Sequence, residues 1–125
     1  MVAKRIHPQA ARYFYMVTFE IAPEDEPEFN EIYDSEHIPN LLCVDGVLGI
    51  IRFKDAAPNA AGRLVYSALY PLARPDLPAT PEWKAASDTG RWAAVMRPRV
   101  KSRQQRLGPI VAATLVDAGT RATRR

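Results

Sequence analysis

Phe29-Asn30-Glu31-Ile32-Tyr33-Asp34-Ser35-Glu36-His37-Ile38-Pro39-Asn40-Leu41-Leu42, closing at Asp45-Gly46-Val47, is the stretch around which the rest of the sequence arranges itself. Successive residues of an α-helix advance by about 100°. Phe29, Ile32, Tyr33 and Glu36 then share one arc, with His37 at its edge. Glu28, Glu31, Asp34 and Ser35 form the opposite, solvated side. The spacing thus predicts a carboxylate on a buried arc, an imidazole beside it and a phenol one turn back. Pro39 disfavours helical backbone at Ile38, so the helix, opening near Glu24, is expected to end near His37. A helix end favours the protonated imidazole.

Strands flank this helix. From Tyr13 to Ala22, Tyr13, Tyr15, Val17, Phe19 and Ile21 point one way and Phe14, Met16 and Thr18 the other. A second strand is expected over Val47 to Lys54, with Val47, Ile51 and Phe53 opposed to Leu48, Ile50 and Arg52. A third runs from Arg63 to Leu72, and the two form a hairpin. Four prolines (Pro71, Pro75, Pro78, Pro81) then mark an extended connection. Thr80 is the expected N-cap of a second helical region. Gly90 interrupts it and it stops before Pro98. A fourth strand is expected over Val100 to Leu107, a bend at Gly108-Pro109, and a further strand over Ile110 to Val116, in cis or across a dimer. The order is β-α-β-β-α-β, an α+β ferredoxin-like antiparallel sheet with helices on one face. Both faces of the sheet are apolar, which argues for a homodimer that buries the second face.

At 125 residues the chain suits one core and not two. The expected domain spans 13–117, between a flexible arm, 1–12, and a flexible basic tail, 118–125. Cys43 is the single cysteine and reads as a small buried residue. No signal peptide or membrane span is read, and the cytoplasm is the expected location. The net charge is +3. Arg91, Arg97, Arg99, Lys101, Arg103 and Arg106 form a basic cluster, offset by acids at Glu24, Asp25, Glu26, Glu28 and Glu31. Without interleaved aromatics it reads as a solvated face, or as a rim attracting an anionic small molecule, and not as a nucleic-acid surface.

The helix motif carries a resemblance. Tyr33, Asp34, Glu36, His37, Ile38, Pro39, Leu41 and Leu42, followed by Gly46, Val47 and Arg52, resemble the EthD-like group of dimeric α/β-barrel proteins. Two positions depart from the group's usual pattern: Ile32 where Trp is common, and Asp45 where Pro is common. The resemblance implies a ferredoxin-like, dimeric α/β barrel. The group includes polyketide cyclases, isomerases and monooxygenases.

The residues suited to chemistry are His37, Glu36 and Tyr33. Histidine moves protons near neutral pH, and His37 otherwise bonds a backbone carbonyl at the helix end. Glu36 is either a general acid or base, or the ion-pair partner of Arg52 or Arg63. Tyr33 either orients a substrate or is a core residue with its hydroxyl satisfied. Arg52 is a candidate holder of a carboxylate or enolate oxygen. Tyr66, Trp83 and Trp92 are core residues or pocket walls, as is Tyr70. There is no Cys/His cluster with metal-ligand spacing, no phosphate-binding glycine loop and no nucleophile elbow. No metal and no cofactor is expected. The set suits cofactor-independent acid–base chemistry of cyclase, isomerase or decarboxylase type on a carbonyl-containing, aromatic or polyketide-like substrate. The other reading is a non-catalytic dimeric module that binds a ligand or partner. A pocket of a few hundred cubic ångströms reaching His37 and Tyr33 favours the first, and a closed space the second.

Overall fold

A computed structural model describes residues 11–114. Four antiparallel strands, β1 (Tyr13–Ile21), β2 (Ile51–Lys54), β3 (Leu64–Leu72) and β4 (Ser102–Pro109), form a sheet in the order β2-β3-β1-β4. That order, with helical segments between β1 and β2 and between β3 and β4, is the ferredoxin-like α+β arrangement expected from the sequence. Tyr15, Val17, Phe19 and Ile21 of β1 face the helices and are buried. They are matched across the register by Leu64, Tyr66, Ala68 and Tyr70 of β3. Each such fully buried side chain contributes roughly 1.5–3 kcal/mol. The other face stays open: Ile51 and Phe53 are 57% and 45% exposed.

Several boundaries differ from expectation. The first helical region does not stop at His37. It runs from α1 (Glu26–Ile32) through a wide π turn (Tyr33–His37) into α2 (Ile38–Leu42). Pro39 has no N–H, and its ring collides with the carbonyl four residues back in an ordinary α-helix. The wide turn resolves this by bonding Ile38 N–H to the Tyr33 carbonyl, five residues back. The same device recurs before Pro98. After α3 (Pro81–Ser87), whose Trp83 N–H is capped by the Thr80 hydroxyl at 3.2 Å, the chain turns at Gly90. A second π turn, Trp92–Met96, then leads into a 3-10 turn that includes Pro98.

Gly108 and Pro109 do not bend the chain but pair with Phe14 and Tyr13, at the end of β4 on the sheet edge. Residues 110–114 form no strand, and Leu115 and Val116 lie outside the described residues, as do residues 1–10 of the arm and the tail 118–125. Regular β2 is shorter than expected, and Val47 does not share a face with Ile51 and Phe53. Val47 pairs with Leu72 and Arg52 with Ala68, so five steps of one chain oppose four of the other. The extra residue reverses the alternation between them. Cys43 is exposed, because Leu41 and Val44 take the inward positions beside it.

Candidate functional site

The π turn decides which side chain at the motif faces inward. One added residue in the turn moves His37 into the interior position that ordinary helical spacing gives to Glu36. His37 is 4% exposed. Its ring lies on Trp92, with centroids 4.6 Å apart and planes 30° apart, and meets Tyr33 at 4.8 Å. Trp92 comes from the second π turn, so the two wide turns present their rings to each other. The expected carbonyl bond at the helix end is not made, because the helix does not end there. Nδ1 of His37 is buried without a partner. Burial, with the nearby positive charges of Arg97 and Arg103, lowers its pKa to about 3. His37 is therefore a neutral imidazole, not the protonated helix-end group expected.

Glu36 faces the other way. Its carboxylate accepts Arg91 N–H at 3.0 Å and pairs with the Arg91 guanidinium, which also reaches Glu31 at 2.6 Å. These bonds hold Glu36 below the usual carboxylate range. The expected partners, Arg52 and Arg63, are engaged elsewhere. Arg52 donates to Asp34 at 2.5 Å and to Asn30 at 2.8 Å, and it stacks on Phe29, Tyr33 and Tyr66. Arg63 pairs with Glu20. Glu36 and His37 thus face different surroundings, and Arg52 is engaged by Asp34 and Asn30.

Tyr33 is a core residue. Its hydroxyl shares a 2.7 Å hydrogen bond with that of Tyr70, and burial raises both phenols above their ordinary pKa. Tyr66 donates to Glu26 at 2.5 Å and accepts from Asn30 at 3.2 Å. Burial and that carboxylate raise its pKa, and it walls no cavity at His37.

A cavity of about 20 Å³ does lie against His37, lined also by Tyr15, Trp83, Ser87, Arg97 and Arg103. It has room for about one water molecule. The same five residues line the inner part of an outer cleft of about 300 Å³ over the helix side of β4. The structure therefore brings together His37, Trp83 and Trp92, and separates them from Glu36, Arg52 and Tyr66. Tyr33 touches the His37 ring but does not line the cavity. Sequence reasoning passed over Tyr15, Ser87, Arg97 and Arg103 as site residues. The signal for Arg103 was strand parity: Arg103 and Gln105 fall opposite Phe19 and Val17, on the helix side of the sheet.

Three members of the basic cluster have carboxylate partners, two of them on the acidic run before and along the first helical region. Arg91 pairs with Glu31 and Glu36, Arg97 with Asp88, and Arg99 with Asp25 and Glu28. Among the described residues no three acidic, cysteine or histidine side chains are grouped to hold a metal ion, and no helix is long and apolar enough to cross a membrane.

The sequence matches no family model and no curated protein. Solved structures share its fold. A candidate antibiotic biosynthesis monooxygenase from Bordetella bronchiseptica superposes with a TM-score of 0.61, covering 82% of this chain and 99% of its own, at 12% identity. A dimeric ferredoxin-like protein from an uncultured marine organism gives 0.56, with 86% and 94% covered and 12% identity. A protein of the ethyl tert-butyl ether D (EthD) family from Bacillus halodurans gives 0.53, with 78% and 96% covered and 19% identity. At these identities the likeness is one of fold, and at that level the EthD-like resemblance is borne out.

Proposed function

We propose that this chain carries a small-molecule site at the inner end of the Arg97–Arg103 cleft, and that His37 accepts a proton there from a carbonyl substrate without a cofactor. The observation that carries this is His37, its Nδ1 buried and unpartnered, lining a cavity that shares its walls with an open cleft. An orphaned polar atom in an aromatic core costs stability unless a water or ligand atom satisfies it. A neutral imidazole is also the form that accepts a proton. Arg97 and Arg103 weaken it as a base, and a substrate on which negative charge develops offsets their field. The Arg103 guanidinium, which has no carboxylate partner among the described residues, stabilises the enolate oxygen that forms. Cyclisation and isomerisation share this proton transfer; decarboxylation reaches the same enolate by losing CO2, with no proton passed to His37. Glu36 has no part in it, and Tyr33 acts only by holding the imidazole edge. Candidate antibiotic biosynthesis monooxygenases of the same fold support a small-molecule role.

A homodimer through the open sheet face belongs to this proposal. Ile51 and Phe53 stand exposed there, beside an apolar groove of about 530 Å³ that includes Phe14, Ile50 and Leu69. A neighbour of the same fold is described as dimeric.

The small size of the His37 cavity favours a second reading, a binding module in which one buried water satisfies Nδ1. Exchange of α-protons in D2O, followed by proton NMR over a panel of aromatic ketones and keto acids, separates the two. The proton-transfer reading expects at least one compound to lose its α-proton signal faster with protein than in buffer. It expects His37→Gln to abolish that gain while the protein stays folded. Uniform buffer rates leave the binding module. His37→Ala is the poorer probe, since it opens a space against Trp92.

A further inference from the structure

The outer cleft deepens that reading by indicating what enters. Arg97 is committed: it donates to the Asp88 carboxylate at 2.8 Å and to the Ser87 carbonyl and hydroxyl at 2.7 and 3.0 Å. Arg103 and Lys84 line the same cleft, and among the described residues neither has a carboxylate within ion-pair distance. Arg103 has the Tyr15 hydroxyl at 3.4 Å and, with the Gln105 amide turned to present its oxygen, that oxygen at 2.8 Å. Both are neutral acceptors. Glu31 and Glu36 are engaged on Arg91, and Asp25 and Glu28 on Arg99.

Two cations with no carboxylate in ion-pair contact therefore stand in a cleft with an aromatic wall, Tyr15 and Trp83, where the lining carboxylate, Asp88, is held by Arg97. At the inner end is His37, whose Nδ1 is buried without a partner, and among the described residues no carboxylate lines the cavity beside it. A guanidinium with donors to spare suits a planar oxyanion, which it can hold with two parallel hydrogen bonds. A concave site with apolar walls focuses that attraction. We infer that the cleft takes a flat organic anion, a carboxylate or stabilised enolate on a ring or conjugated chain. Its charge rests on Arg103 and Lys84, its ring rests against Trp83, and its far end points to His37. This rests on the small-molecule site proposed above and adds the charge and shape of its occupant.

The test is calorimetric titration of the full chain at pH 7 with 2-naphthoate and with neutral 2-naphthamide. The anion should bind at least tenfold more tightly. Arg103→Gln should weaken naphthoate at least tenfold and leave naphthamide unchanged, with Lys84→Gln in the same direction. Arg103 is exposed on the edge strand, so its variant is expected to fold, and thermal melting checks this. Equal affinities, no binding of naphthoate, or an affinity indifferent to Arg103→Gln overturns the inference. Proton exchange dependent on His37 with no preference for the anion would sink this inference alone. Selective binding of naphthoate with no exchange would sink the proton-transfer reading alone.

Discussion

Lowering the pH from 7 to 5 should destabilise this protein by about 2 kcal/mol, and His37 should account for nearly all of it. Its pKa is about 3 in the folded protein against an ordinary 6.5. Below 6.5 the unfolded chain takes up a proton that the folded chain refuses. Stability is then fully present above 6.5 and falls as pH drops, at up to about 1.4 kcal/mol per pH unit, until the folded group itself titrates. Integrated from pH 7 to pH 5, with one site and these two values, the loss is about 2 kcal/mol. The carboxylates act in another window. Glu26, Glu31 and Glu36 are held below 4.5 by Lys54, Arg91 and Arg91 respectively, so their contributions are present above 4.5 and are lost only beneath it. Urea unfolding at pH 7, 6 and 5 measures the slope. His37→Gln should flatten it to within about 0.5 kcal/mol, whatever it does to the absolute stability. A wild-type protein equally stable at pH 7 and 5, or a variant with the same loss as wild type, would refute the buried neutral imidazole.

Gly90→Ala should cost about 1–3 kcal/mol in urea unfolding, because φ there is +73° and the new Cβ would lie 2.7 Å from a Glu36 carboxylate oxygen. Tyr33→Phe and Tyr70→Phe should each cost about 1–3 kcal/mol by stranding the partner hydroxyl, and the double variant should cost clearly less than the sum. Met16→Asp and Phe53→Asp, both on the open sheet face, should give folded monomer by light scattering, whereas Phe19→Asp on the helix side should prevent folding.

The fold was legible because period-2 alternation in Tyr13–Ile21 and Leu64–Leu72 is not disturbed by anything local, and both strands came out nearly residue for residue. The helix was legible as an element but not in its facing. Pro39 reads as a stop, whereas the chain keeps its helix and widens one turn to accommodate the ring. That single residue of phase moved Glu36 out and His37 in. The bulge before β2 is the same kind of event in a strand: Gly49 and its neighbours add a step that no alternation pattern announces. Arg52 paired with Asp34, on the side that helical spacing had given to solvent. The cleft residues Arg97 and Arg103 were visible only as members of a basic cluster. Which of those cations lacked a counter-charge depended on where the acidic helix packed, and that is decided in three dimensions.

The state of His37 can be read directly. A titration of imidazole carbon and nitrogen chemical shifts by NMR from pH 8 to pH 5, with the signal assigned by its absence in His37→Gln, should find one histidine neutral throughout. Movement of that signal with a midpoint near 6.5 would contradict the buried, unpaired imidazole on which the proposed chemistry rests.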